Sequence, residues 1–118
     1  MKTLVLGASS NPARYSYMAI RSLVARGHEV VAVGLKDEDV AGVRISKEQV
    51  PASDIHTVTL YLNPQRQQEY YDYILGLRPE RVVFNPGTEN PELSDLLRKQ
   101  GIETVEGCTL VMLTTEQF

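Results

Sequence analysis

The chain has 118 residues, a net charge of −3, 42% hydrophobic residues and a single cysteine. That length predicts one domain over residues 1–118, with enough apolar content for a core and no need of disulfide staples. The negative balance and the lack of any Lys/Arg run argue against a nucleic-acid surface, because binding a phosphate backbone requires clustered cations.

Met1 and Lys2 lead straight into a strand-like run, so no signal peptide is expected. No apolar stretch approaches the roughly 20 residues that span a bilayer. With Cys108 unable to form an internal disulfide, the expectation is a cytoplasmic protein with no membrane partner.

In chain order, Thr3 to Leu6 (TLVL) is apolar and β-branched, ends at Gly7 and predicts a buried strand. Ile20, Leu23 and Val24 then recur at helical spacing, and Gly27 is a stop signal. Glu29 to Val33 predicts the second strand, closed by Gly34. Residues 36–49 are polar and irregular, with a short helical turn expected at Asp37 to Val40 and a minor extended piece at Val43 to Ile45. Thr57 to Leu62 predicts the third strand. Asn63-Pro64 opens a helix striped by Tyr70, Tyr71, Ile74 and Leu75. Arg81 to Phe84 is the fourth strand, Asn90-Pro91 opens a helix striped by Leu93, Leu96 and Leu97, and Ile102 to Val105 is the fifth strand. The apolar run Thr109 to Leu113 is read as a last helix. Strands alternating with helices require parallel pairing through crossovers. The expected fold is therefore α/β: a Rossmann-like, doubly wound, mainly parallel five-stranded sheet with helices on both faces and right-handed crossovers.

In such a sheet a ligand binds beyond the carboxyl ends of the strands. The loop after strand one holds Gly7, Ala8, Ser9, Ser10, Asn11, Arg14, Tyr15 and Ser16. It has one glycine where the G-x-G-x-x-G turn has three, yet a helix N-terminus, serine hydroxyls and Arg14 suit a phosphate. The alternative is a polar loop that binds nothing. After strand two stands Gly34-Leu35-Lys36, not the acid of an NAD site, and a lysine there suits a phosphate on the ribose, as in NADP and coenzyme A. Taken alone, Lys36 reads first as an ordinary exposed lysine. Leu62 and Asn63 follow strand three, and Asn85, Pro86 and Gly87 follow strand four, where turn formation alone accounts for the sequence. His28 and His56 are expected at strand entrances, outside any metal-ligand spacing. Tyr70, Tyr71 and Tyr73 read as helix packing, and Cys108 as a small packing residue. There is no nucleophile elbow and no P-loop, so no catalytic residue is assigned.

The stretches GASSNPARYSY (7–17), GHEVVAVGLK (27–36), FNPGTEN (84–90) and VEGCTLVML (105–113) together resemble the small single-domain coenzyme A-binding proteins, relatives of the N-terminal domain of the succinyl-CoA synthetase α subunit. That family's first loop is similarly glycine-poor. Here Gly34-Leu35 replaces its Asn-Pro before the lysine, and Asn85 replaces its glutamine. The resemblance implies coenzyme A or acyl-CoA as ligand, with the first loop on the diphosphate and Lys36 on the ribose phosphate. It places Leu62 and Asn63 near adenine or ribose, and Asn85, Pro86 and Gly87 near the pantetheine end. A non-enzymatic sensor or regulatory module is the leading expectation. An NAD(P)-binding protein, either a small reductase or a redox sensor, and an interaction module with a vestigial cleft are the alternatives. A homo-oligomer is open, and no stretch identifies an interface.

Overall fold

Leu4, Val5 and Leu6 expose no surface, yet they serve two different cores. Leu4 and Leu6 join Val58, Leu60, Val82 and Phe84, packed beneath Ile74, Leu93 and Leu97. Val5 turns the other way, to Ala32, Ile45, Ile20, Leu23 and Leu113. Successive side chains of a strand point to opposite faces, so a central strand apolar at every position must be covered on both. Each fully buried Leu, Ile or Phe contributes about 1.5–3 kcal/mol.

The computed structural model describes residues 1–118 and gives the following order. Strand β1 (Lys2–Ala8) leads into α1 (Tyr15–Ala25), β2 (Glu29–Gly34), β3 (Glu38–Val40), β4 (Val43–Ser46) and β5 (Thr57–Leu60). Then come α2 (Pro64–Gln67), a 3-10 turn (Gln68–Tyr70), α3 (Tyr71–Leu77), β6 (Arg81–Phe84), α4 (Pro91–Lys99), β7 (Glu103–Glu106) and α5 (Thr109–Thr114). The sheet order is β3-β4-β2-β1-β5-β6-β7. All neighbours are parallel except β3 and β4. From β1 the chain works outward on one side, then returns to lay β5, β6 and β7 on the other. The reversal of winding at β1 opens a crevice above its carboxyl end.

The sheet thus has seven strands, not five, and is mixed: it is mainly parallel as expected, with one antiparallel pair, β3–β4, at its edge. The segment from Asp37 to Val40, expected as a helical turn, contributes an edge strand instead. Ala41 and Gly42 both take positive φ (52° and 82°), and this two-residue turn folds Val40 back onto Val43. Val40 and Ile45 are buried in the α1 core and hold the hairpin down. Strands of three and four residues are too short to show a period. The helix expected from Asn63-Pro64 also differs: it is broken by the 3-10 turn, while Tyr70 and Ile74 still face the core. At the break, the buried Gln67 amide donates to the carbonyls of Leu62 and Thr88, both at 2.8 Å. The last helix, α5, forms as expected, and His28 and His56 stand directly before β2 and β5. No helix is long and apolar enough to cross a membrane.

Candidate functional site

Two glycines let the strand ends converge. Gly7 has φ +93°, and a Cβ there would lie 3.0 Å from the Tyr61 carbonyl carbon and 3.1 Å from the Leu62 side chain. At Gly34 a Cβ would overlap the Ala8 carbonyl oxygen, where the β1–β2 register shifts to pair Ala8 with Gly34. The loop beyond β1 then orders itself. Ser9 Oγ accepts from Asn11 N–H at 3.0 Å, and Asn11 Oδ1 accepts from Ala13 N–H at 3.0 Å. The Ser10 hydroxyl donates to Glu38 Oε1 at 2.7 Å, tying the loop to β3.

The loop delivers the chain into α1 without a cap. Arg14 takes the N-cap position with extended backbone, has no side-chain cap bond, and no acid follows in the first turn. The first helical bond is Met18 N–H to Arg14 O at 3.4 Å, so the N–H groups of Tyr15, Ser16 and Tyr17 have no partner within the protein. Of the three other helix starts at this end, Asn63 caps α2 at 2.9 Å and Asn90 caps α4 at 3.2 Å, while α5 has no cap from Cys108 but its Thr109 N–H is taken by Asn85 Oδ1 at 2.8 Å. Free N–H groups at a helix start carry partial positive charge and favour an anion.

These features surround one cleft of about 640 Å³. Of the residues named from sequence, it brings together Gly7, Ala8, Ser9, Ser10, Asn11, Arg14, Tyr15, Ser16, Gly34, Leu35, Lys36, Leu62 and Pro86. Three do not line it. The Asn63 side chain is engaged in capping α2. Gly87 is on the exposed side of its turn, with φ +90° and its N–H donating to Glu89 at 2.9 Å. Asn85 is 3% exposed and acts as a brace: its Nδ2 donates to Thr59 Oγ1 (2.7 Å) and Leu60 O (2.8 Å), and its Oδ1 accepts from Thr109 N–H (2.8 Å).

Thr88, in the turn weighed after strand four, lines the cleft, and sequence reasoning missed Glu38, Tyr61, Arg66 and Tyr70, which also line it. Glu38 gave no signal, because only the hairpin swings it over Ser10. Arg66 reads as any helix residue, and it reaches the cleft because the first turn of α2 follows β5 closely. With Arg66, the cleft holds three exposed cations, Arg14, Lys36 and Arg66, against one carboxylate, Glu38. Tyr70 packs in the helix, as expected, while also bordering the cleft.

A second cavity of about 230 Å³ is lined by Tyr15, Tyr61, Asn85, Pro86 and Cys108, and shares its first, second and fourth residues with the main cleft. Cys108, expected to be a packing residue, is only partly buried and stands at the start of α5 facing this cavity. The Tyr61 hydroxyl is buried beside Thr59 and Thr109 without a well-formed bond to either, since those two hydroxyls pair with each other at 2.7 Å. Burial pushes its pKa up to about 12, so it stays a neutral phenol.

A family model described as CoA binding domain matches residues 1–114. The chain belongs to the CoA binding domain family. An uncharacterized protein of known crystal structure is 51% identical over 99% of this chain and 97% of its own, with a TM-score of 0.96. A Thermus thermophilus protein is 23% identical, with a TM-score of 0.86, over 99% of this chain and 90% of its own. A hypothetical protein from Pyrococcus horikoshii OT3 is 24% identical, with a TM-score of 0.85, over 98% of this chain and 82% of its own. These two likenesses concern the fold. No curated protein matches the chain. As a CoA binding domain, the chain has a small-molecule ligand to place, and the crevice above β1 is where its phosphate-suited groups converge.

Proposed function

We propose that this protein binds coenzyme A or an acyl-CoA in the cleft above β1 without catalysing a reaction, and acts as a sensor or regulatory module. The observation that carries this reading is the uncapped start of α1, open to a cleft where Arg14, Lys36 and Arg66 gather. The free N–H groups of Tyr15 and Ser16, with the hydroxyls of Ser9 and Ser16, take the diphosphate. Lys36 takes the ribose phosphate. Leu62 borders the adenine and ribose, and Pro86 the pantetheine arm. The non-catalytic role rests on the sequence, which carries no nucleophile elbow and no P-loop. NADP is the second reading, favoured by Lys36 alone, since a cation after β2 suits either ribose phosphate.

A thermal-shift titration of nucleotide-stripped protein decides between them. At 100 times its dissociation constant a ligand adds roughly 2.7 kcal/mol to stability, several degrees for a domain of this size. A shift with coenzyme A and none with NADPH is expected; the reverse overturns the proposal. Lys36→Glu tests the assigned contact. The natural protein should prefer coenzyme A to its 3′-dephospho form by about tenfold or more, as expected for a charge-assisted bond. The variant should bind both forms alike. An unchanged preference in the variant removes Lys36 from the phosphate site.

A further inference from the structure

We infer that the smaller cavity between Tyr61, Asn85 and Cys108 receives the acyl end of a coenzyme A thioester, and that it selects acyl groups of up to about six carbons. This rests on the coenzyme A reading of the main cleft.

The first argument is chemical. The cavity measures about 230 Å³. Its polar groups are already engaged or hidden. The Asn85 amide makes three bonds, to Thr59, Leu60 and Thr109, and the Tyr61 hydroxyl is buried behind its ring. What remains for an occupant is the tyrosine rings, the Pro86 ring and the Cys108 side chain. A charged or strongly polar group placed there loses water and gains no partner, which is costly. An alkyl chain loses nothing.

The second argument is positional. Tyr15, Tyr61 and Pro86 belong to both spaces, so the cavity continues the cleft. Lys36 follows β2, whereas Pro86 follows β6, and β1 and β5 lie between. Three strand spacings separate the two ends, about 14 Å. A ligand held by phosphates over β1 and β2 reaches the cavity only through a long arm. Pantetheine is such an arm, and it ends in the sulfur that bears the acyl group.

The third argument is size. The volume equals that of roughly seven or eight waters. A methylene takes up nearly as much room as a water, so the cavity accommodates the sulfur and an acyl group of about six carbons and is overfilled by ten.

Isothermal titration with coenzyme A and its acetyl, butyryl, octanoyl and decanoyl thioesters tests the inference. Affinity should rise from acetyl through butyryl by about fourfold for each methylene buried, and should gain nothing from octanoyl to decanoyl. In Cys108→Phe, which pushes a ring into the cavity, the ratio of butyryl-CoA to coenzyme A affinity should fall severalfold. Cys108→Leu, a smaller intrusion, is read by the same ratio should the first variant fail to fold. Equal affinity for coenzyme A and butyryl-CoA in the natural protein overturns the inference and leaves the coenzyme A reading standing. So does a gain that continues through decanoyl, or a ratio unchanged in a folded Cys108 variant. Failure of coenzyme A itself to bind overturns the proposed function instead, and the inference with it.

Discussion

Glu38 acts in two opposed ways. Its carboxylate accepts the Ser10 hydroxyl at 2.7 Å and so helps order the loop that would meet a diphosphate. It also places a negative charge among Arg14, Lys36 and Arg66. Glu38→Gln keeps an acceptor for Ser10 and removes the charge. Coenzyme A binding should tighten about two- to fivefold at low salt, the scale of one well-hydrated charge pair, and the gain should shrink as salt is added. Titration calorimetry at two salt concentrations checks both parts. Asn85 poses the opposite case, since it belongs to the scaffold. Asn85→Ala leaves the Leu60 carbonyl and the Thr109 N–H without their side-chain partner. A loss of about 2–4 kcal/mol in urea unfolding is expected. From sequence, Asn85 read as a turn or ligand residue, because one asparagine gives no sign of which partners the fold will bring to it.

At the scale of the element, α1 is the informative helix. Its sequence showed the stripe of Ile20 and Leu23, and both are fully buried. Its start is left uncapped, where α2 and α4 each carry an asparagine. Arg14 has extended backbone of the kind a capping residue adopts (φ −91°, ψ 142°), so a cap can be installed by substitution. Arg14→Asn should stabilise the ligand-free protein by about 1 kcal/mol relative to Arg14→Ala. It should also bind coenzyme A more weakly than Arg14→Ala, because the new side chain occupies N–H groups the diphosphate would use. Unfolding midpoints and calorimetric affinities of the two variants, compared side by side, remove the shared effect of the lost charge. Equal affinities in the two would detach the α1 N-terminus from ligand binding. The β3–β4 hairpin shows what an element can hide. Ala41-Gly42 lacks the Asn-Gly or Asp-Gly signature of such turns, and its strands are too short for an alternating pattern.

Across the whole molecule, the end of the sheet away from the cleft carries a pH-sensitive contribution to stability. His28 precedes β2 at the end away from the cleft, edge-to-face with Phe118 at 5.7 Å. Burial, reinforced by nearby positive charge, holds its pKa below the ordinary 6.5. The unfolded chain therefore takes up this proton first. The contribution to stability is full above the ordinary value and is lost as the pH falls toward the depressed one. Between about pH 7 and pH 5 the unfolding midpoint should drop, and His28→Gln should flatten that drop. A slope identical in the two proteins would assign the acid sensitivity elsewhere.

The sequence by itself determined the alternation of strands and helices, the double burial of β1, and most of the cleft lining. Each is local: apolar runs, helix-start asparagines and strand-end glycines act over a few residues, and ligand loops in a parallel sheet must follow the strands. Resemblance to coenzyme A-binding proteins was legible for the same reason, in the loop from Gly7 to Tyr17. Tertiary structure alone decided what depends on residues far apart in the chain. It carried Glu38 over Ser10, faced Arg66 into the cleft, turned Asn85 into a brace across β5 and α5, and brought Cys108 beside Tyr61. Those contacts are set by strand order and crossover geometry, and no short window of sequence contains both partners.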